Sequence, residues 1–362
     1  MRLQNILESL EKIAPLLGAE SWDNVGLLVG DREQDVHRIL LTIDYTKEVA
    51  EEGKKAECDF VVAYHPPIFP ALKRVLAGSF VFDAIRRGVA IYSPHTALDA
   101  AEGGTNDMLA DVLGLVDRGP LRVESAAAGH SKLVTFVPAE KVDEVSQAIF
   151  DAGAGRIGDY TSCSFQIKGT GTFIGGAGTN PTVGKAGEFE QVHEIRLETV
   201  VPTKNIAAVV AALRKSHPYE EPAFDLNMLG ADPTGRGQGR IGSLAPTERG
   251  PLIERIKSEL GLARVLVSGP ATGKITKAAA CPGSCGDLLD AAISGGAELY
   301  LTGEIRHHDA IKAAAAGMTV VCTLHSNSER AALKRLKQRL EETAGMPPIS
   351  ISAVDRDPFL IV

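Results

Sequence analysis

The stretch that most constrains the fold is Val320 to Leu333, VVCTLHSNSERAAL. An apolar run from Met318 to Leu324 stops at His325. Ser-Asn-Ser follows, then Glu329 and a segment of helical period rich in Ala, Leu, Lys and Arg. This pattern predicts strand, turn and helix, with Ser326 or Asn327 as the N-cap. His325 then falls where the strand ends and Glu329 in the first helical turn. An imidazole and a carboxylate converging at the C-terminal end of a strand make half of a metal site. The plainer alternative is a surface histidine and a first-turn glutamate favoured by the helix dipole.

The pattern recurs upstream. Residues 3–17 read as an amphipathic helix, with Leu3, Ile6, Leu7, Leu10, Ile13 and Leu16 on one stripe. Glu20 to Gly30 (ESWDNVGLLVG) is either a turn feeding a short buried strand or a segment whose Asp23 and Asn24 face a pocket. Arg38 to Ile43 is a strand, Asp44-Tyr45-Thr46 its loop, and Lys47 to Glu57 a helix. Asp59 to Tyr64 is apolar on both faces, as a buried parallel strand should be, and runs into His65-Pro66-Pro67. The prolines end the strand and hold the histidine at its tip. A helix over 79–87 leads to the strand Val89 to Tyr92, then to His95, with Asp99 four residues on.

Three apolar strands therefore end in His65, in His95 with Asp99, and in His325 with Glu329. One such histidine is usually a polar group at the surface; three in a single α/β pattern are harder to dismiss, because ligands of open α/β sheets bind at that edge. Imidazole and carboxylate donors without thiolates suit a catalytic first-row divalent site better than a closed structural zinc site. A bridging carboxylate would suit two ions, which can activate a water.

The middle of the chain changes character. His130 to Pro138 is a strand, Ala139 to Ala152 a helix, and Cys163 to Lys168 a strand, followed by a glycine-rich loop from Gly169 to Gly187. Val192 to Pro202 is a strand, Thr203 to Ser216 a helix and Ala223 to Leu229 a strand. This β-α-β, loop, β-α-β order is the ferredoxin-like pattern. The expected organisation is an α/β core formed by residues 1–128 and 232–362, interrupted by an α+β insert over 129–231, with Asp232 to Gly239 as the return linker. The glycine-rich stretch lacks G-x4-G-K-[ST], and Ser268 to Lys274 is a near miss, so neither reads as a phosphate-binding loop.

After the insert the α/β rhythm resumes. Leu252 to Gly261 is a helix, Val265 to Ser268 and Lys277 to Ala280 are strands, and Gly283 to Gly286 is a tight loop before the helix Asp287 to Ile293. Leu299 to Thr302 is a strand followed by Gly303-Glu304 and a helix over Ile305 to Ala316. Glu304 and His308, one helical turn apart, are candidate general acid/base residues. The alternative is a helix with a polar start.

The chain has 362 residues, long enough for two or three domains, with 44% hydrophobic and 23% charged residues. A net charge of -8 argues against a general nucleic-acid-binding surface. No apolar run reaches membrane-spanning length. Cys58, Cys163, Cys281, Cys285 and Cys322 form an odd, scattered set, expected to be reduced thiols in a cytoplasmic protein; the C-x3-C pair has no partner pair for a zinc knuckle.

Taken together, Glu20 to Gly30, His65-Pro66, His95 with Asp99, Gly169-Thr-Gly-Thr-Phe173, His217-Pro-Tyr-Glu-Glu-Pro222, Thr302-Gly-Glu304 with His308, and His325 with Glu329 resemble the Ngg-interacting-factor-three-like family, the GTP cyclohydrolase 1 type 2 homologues. The resemblance runs almost end to end. It implies two similar α/β halves around a dinuclear centre, a PII/CutA-like insert, and a toroidal homohexamer. It implies His65, Asp99, His325 and Glu329 as metal ligands, with Glu329 bridging two divalent ions per chain (zinc, iron or manganese) and His95 beside the site. Many bacterial members have His-His-Pro at the first strand end where this chain has Tyr64-His65-Pro66. Tyr64 thus occupies a ligand position and is a poor ligand unless deprotonated. The expected function is metal-dependent hydrolysis of a nucleotide or related small molecule, the alternative a metal-binding scaffold or regulatory ring whose insert senses a ligand or recruits a partner.

Overall fold

A computed structural model describes residues 1–123, 130–229 and 237–361. The domain boundaries expected at 128/129 and 231/232, and residues 232–236 of the expected linker, lie outside the described residues. The chain forms two compact units, one from Met1–Glu124 with Thr234–Val362, the other from Ser125–Pro233.

The first unit holds a five-stranded and a six-stranded sheet. The five-stranded sheet has the order Gly26–Val29, Ala90–Ser93, Phe60–Ala63, Ile39–Thr42, Ile349–Ile351. Its last four strands are parallel neighbours and the first is antiparallel to Ala90–Ser93. The three central strands are buried at every position, which accounts for runs such as FVVA and ILLT that show no polar alternation. The six-stranded sheet has the order Leu266–Ser268, Thr319–Cys322, Leu299–Thr302, Lys274–Cys281, Arg240–Glu248, Val116–Gly119. Only its middle pairings, Lys274–Cys281 with Leu299–Thr302 and Leu299–Thr302 with Thr319–Cys322, are parallel.

The two ends of the chain are interlocked in this unit. Ile349–Ile351, from the C-terminal end, completes the sheet built by the first hundred residues, pairing with Ile39–Thr42. The helices Leu3–Ile13 and Arg330–Glu341 share one apolar cluster, where Leu3, Ile6 and Leu10 are buried with Leu336 and Leu340. Each such side chain contributes about 1.5–3 kcal/mol on burial. Thr46 and Ser79 cap the helices Lys47–Lys55 and Phe80–Arg87, each accepting a backbone N–H from three residues on.

Three local expectations are corrected. Ser326 and Asn327 do not cap the last helix. A 3-10 turn, Ser326–Ser328, intervenes, Glu329 stands just before the helix Arg330–Glu341, and the Ser326 hydroxyl is engaged by Asp357 and Arg330 instead. The helix expected from Ile305 begins at His307, because Arg306 is extended; Glu304 therefore precedes it and does not share a helical face with His308. The C-x3-C cysteines are not two free thiols: Cys281 and Cys285 are paired across a loop turned at Gly283 (φ +65°), while Cys58, Cys163 and Cys322 are free.

The second unit is a four-stranded antiparallel sheet in the order Phe224–Met228, His130–Pro138, Phe189–Pro202, Ser164–Ile174. The helices Val142–Asp151 and Ile206–Ser216 cover one face, where Val145, Ile149, Val209 and Leu213 pack on Leu133, Leu197 and Val201. The strand expected to end at Lys168 continues through Gly169–Phe173 to Ile174. The long partner strand Phe189–Pro202 supplies a cross-strand neighbour for every residue, glycines included. No helix among the described residues is long and apolar enough to cross a membrane.

Arg240 clamps the first unit where the chain returns to it. Its Nε donates to Asp107 Oδ1 at 2.6 Å, and its Nη1 to the Gly237 and Gly239 carbonyls, with both charged side chains buried. Removing Arg240 leaves the buried Asp107 with only a longer contact to Arg118 at 3.5 Å and the Gly103 N–H. Arg240→Ala is expected to lower stability by about 3–5 kcal/mol, read as a shift of the urea midpoint at unchanged slope. A shift no larger than that of a surface arginine variant would contradict this role.

Candidate metal centre

The site is assembled from strand ends. His65 follows Phe60–Ala63, His95 follows Ala90–Ser93, Asp44 follows Ile39–Thr42, Glu304 follows Leu299–Thr302, and His325 follows Thr319–Cys322. These are the C-terminal ends of parallel strands, where side chains beyond the ladder are released into a cleft. The edges of the two sheets bring the His65 and His325 rings to 5.2 Å between centroids.

Glu329 closes the group. Its carboxylate is buried, its Oε2 lying 3.2 Å from His65 Nε2 and its Oε1 3.4 Å from His325 Nε2. The donor atoms of His65, His325 and Glu329 all lie within 4.8 Å of one another. His65 Nε2 and Glu329 Oε2 are buried with no hydrogen-bond partner, a costly condition for two polar atoms pointing at the same spot. Two imidazole nitrogens and a carboxylate, with His65 Nε2 and Glu329 Oε2 unpartnered, are a donor set that fits a divalent cation.

Each histidine of the cluster is held from behind by a carboxylate. His65 Nδ1 meets Asp44 Oδ1 at 2.9 Å, His95 Nδ1 meets Asp23 Oδ1 at 2.8 Å, and His325 Nδ1 is bonded to Glu304. Such partners fix the tautomer so that Nε2 faces inward as an acceptor. Asp23 is itself fixed by the backbone N–H groups of Asn24 and Thr96. Two backbone positions beside these rings lie in the left-handed region without being glycine: His95 (φ +27°) and Leu324 (φ +72°). Each costs about 1–3 kcal/mol and persists where the surroundings enforce it.

Tyr64 and Asp99 lie alongside. The Tyr64 hydroxyl donates to Asp99 Oδ1, and its ring is 5.3 Å from that of His65. Burial, then the Asp99 and Glu329 charges, hold the Tyr64 phenol protonated far above its ordinary range. Burial also raises the Asp99 carboxyl to about 6, against the Tyr64 hydrogen bond. Asp99 and His95 are not part of the close triad. His308 is exposed on its helix, with its ring against that of His307 at 5.4 Å.

Of the three orienting carboxylates, Asp23 reads from the sequence as a candidate pocket residue and Glu304 as a candidate proton-transfer group; Asp44 alone is not singled out there, although it sits at a strand end like the histidines. Gly283, read from the sequence only as part of a tight loop before a helix, lies against the site. Its N–H donates to Ser328 Oγ at 2.8 Å, and a Cβ there would stand 2.9 Å from Glu329 Oε1 and 3.3 Å from His325 Nε2. The loop between Cys281 and Cys285 thus forms a wall of the site that only glycine fits.

Comparison with known proteins is consistent along the whole chain. The family model for Duf34/NIF3 (NGG1p interacting factor 3) matches residues 1–358. A Bacillus subtilis protein named GTP cyclohydrolase 1 type 2 homolog is 33% identical, over 98% of this chain and 97% of its own length. A Mycobacterium tuberculosis protein of the same name is 36% identical over 86% and 83%. A crystal structure of a Bacillus cereus protein related to NIF3 superposes with a TM-score of 0.65 at 31% identity, covering 100% of this chain and 99% of that one.

Two outcomes follow from the geometry. Gly283→Ala is expected to lower bound divalent metal about tenfold or more with unchanged circular dichroism; full retention would remove the glycine wall from the site. The second concerns pH. Burial alone would depress His65, but the carboxylates of Asp44 and Glu329 outweigh it and raise its pKa from 6.5 to about 10. In chelator-stripped protein this stabilisation is present in full below pH 6.5 and is lost as pH rises toward 10. The melting temperature of stripped protein should therefore fall across that window, and added metal, which replaces the proton, should flatten the fall. Identical profiles with and without metal would contradict it.

Proposed function

The chain belongs to the Duf34/NIF3 family, and from that premise we propose that it is a divalent-metal-dependent hydrolase acting on a nucleotide or related small molecule. The observation that carries this reading is the convergence of His65 Nε2, His325 Nε2 and the buried Glu329 carboxylate on one point, with two of the atoms otherwise unpartnered.

In this reading His65, His325 and Glu329 would hold one ion, and Asp99 would join Glu329 in holding a second. Bound there, divalent ions would supply Lewis-acid polarisation and lower the pKa of water. The protein's own groups do the rest. Asp44 and Glu304 keep both imidazoles in the tautomer that presents Nε2. Asp23 does the same for His95. Tyr64 holds Asp99 by one oxygen, so the second ion is expected to be the weaker one. Glu304, half-exposed and bonded to His325, is the carboxylate placed to take a proton, and His308 is proposed to exchange it with solvent.

The same reading takes residues 129–231 as a ferredoxin-like insert, a view supported by their β-α-β-β-α-β order and by sheet neighbours that are not sequential. It takes the chain as cytoplasmic and as a subunit of a toroidal homohexamer, on the strength of the family resemblance. GTP is the first substrate to test because the relatives carry that name.

Purified protein loaded in turn with zinc, manganese or ferrous iron should be assayed against GTP and other nucleotides. Turnover that chelator removes, and that Asp99→Ala lowers about a hundredfold, is the expected result. No turnover with any divalent ion would overturn the catalytic reading and favour a metal-binding scaffold.

A further inference from the structure

Two sequence motifs take no part in the metal centre: Gly169-Thr-Gly-Thr-Phe173 and His217-Pro-Tyr-Glu-Glu-Pro222. Both belong to the second unit, and both line one cavity of about 590 Å³. Cavities of this size hold small organic ligands.

The floor is the sheet face opposite the two helices. Cross-strand register places Phe136 beside Arg196, Arg196 beside Ile167, and Glu194 beside Gly169. The alternate residues Leu197 and Ile195 face the helices and are buried. Side chains are missing from the floor at Gly169 and Gly171, which leaves the space. A Cβ at Gly169 would meet nothing within 4 Å, whereas one at Gly171 would strike the Glu194 carboxylate, 2.1 Å from Oε2. That oxygen therefore lies directly over bare backbone.

The walls come from the glycine-rich segment and from the second motif, which are tied together. Asn180 N–H donates to Glu220 Oε2 at 3.0 Å, Thr182 Oγ1 donates to the Pro218 carbonyl at 2.7 Å, and Gly187 N–H donates to the Gly175 carbonyl. Tyr219 is anchored by its hydroxyl, which donates to Glu194 Oε1 at 2.8 Å. His217 fixes the start of this motif from beneath: its Nε2 contacts the Phe136 carbonyl at 3.0 Å, and its Nδ1 accepts the Tyr219 N–H. One glutamate oxygen is thus spent on holding the wall and the other is left to the cavity.

The lining specifies chemistry. Aromatic and aliphatic surfaces from Phe136, Ile167, Phe173 and Val183 suit a flat ring. A carboxylate oxygen over glycine backbone accepts an N–H and offers none. Glu194, Glu220 and Glu221 outnumber Lys168 and Arg196 in the lining, and Arg196 Nε is already bound to Glu198. The excess of carboxylates disfavours a phosphate group here. We propose that this cavity is a binding site for an uncharged planar heterocycle bearing ring N–H donors, of the size and type of a guanine base or nucleoside. The site lies wholly within the second unit and does not depend on the metal reading.

The test is equilibrium dialysis of guanosine against the full-length protein, beside guanosine 5′-monophosphate. Saturable uptake with a dissociation constant below about 1 mM is expected, with no tighter binding of the monophosphate once the metal ligands are replaced (His325→Ala/Glu329→Ala). Uptake should persist in a His325→Ala/Glu329→Ala variant, which separates this site from the metal centre. Gly169→Leu, which fills the floor without a backbone clash, should abolish uptake. Glu194→Gln, which keeps an acceptor for Tyr219, should weaken it about tenfold, and decides the matter if Gly169→Leu does not fold. Absence of saturable guanosine uptake, uptake indifferent to both Gly169→Leu and Glu194→Gln, uptake lost with the metal ligands, or tighter binding of the monophosphate by the His325→Ala/Glu329→Ala variant would each overturn the proposal.

Discussion

The buried carboxylate of Glu329 is the constraint on which the first unit depends. Among the described residues its ion-pair partners are His65 and His325, with neither lysine nor arginine beside it. Burying a carboxylate costs several kcal/mol unless positive charge compensates it. Here the compensation comes from a proton on His65 or from a cation, and both require His65 and Glu329 to stay together. The residues come from distant parts of the chain, so this electrostatic requirement reinforces the interlocking achieved by Ile349–Ile351 and by the packing of the first and last long helices.

The fold supports the centre at some cost. Leu324 holds a left-handed backbone so that the chain can turn from strand into the 3-10 segment that delivers Glu329, and Ser328 ties that segment to Gly283 and to the His325 carbonyl. His95 is likewise strained, with Asp23 bracing its ring. Three carboxylate–imidazole pairs at neighbouring strand ends amount to a single device used repeatedly: a rigid sheet edge supplies the histidine and a second edge or loop supplies the group that orients it.

Much of this was legible in the sequence because buried parallel strands announce themselves. FVVA before His65 and the TVVC run before His325 show apolar residues on both faces, and each sets its histidine at an edge. What stayed hidden depended on tertiary hydrogen bonds. Ser326 reads as an N-cap, yet Asp357, 31 residues further on, claims its hydroxyl. Glu304 and His308 read as a helical pair, yet an extended Arg306 separates them. Gly169 and Gly171 read as loop residues, and only pairing with a long neighbouring strand makes them a floor. The joining of Ile349–Ile351 to the N-terminal sheet was equally invisible, since nothing local marks which of two sheets a short strand will extend.

The most direct measurement of the central claim is divalent metal content per chain, by elemental analysis, on protein purified without chelator or affinity metal, beside the His325→Ala/Glu329→Ala variant. The account predicts between one and two ions per chain in the wild type, the second held more weakly, and close to none in the variant at unchanged circular dichroism. No ion in the wild type, even after reconstitution with zinc, manganese or ferrous iron, would contradict it and leave the buried carboxylate balanced without a metal.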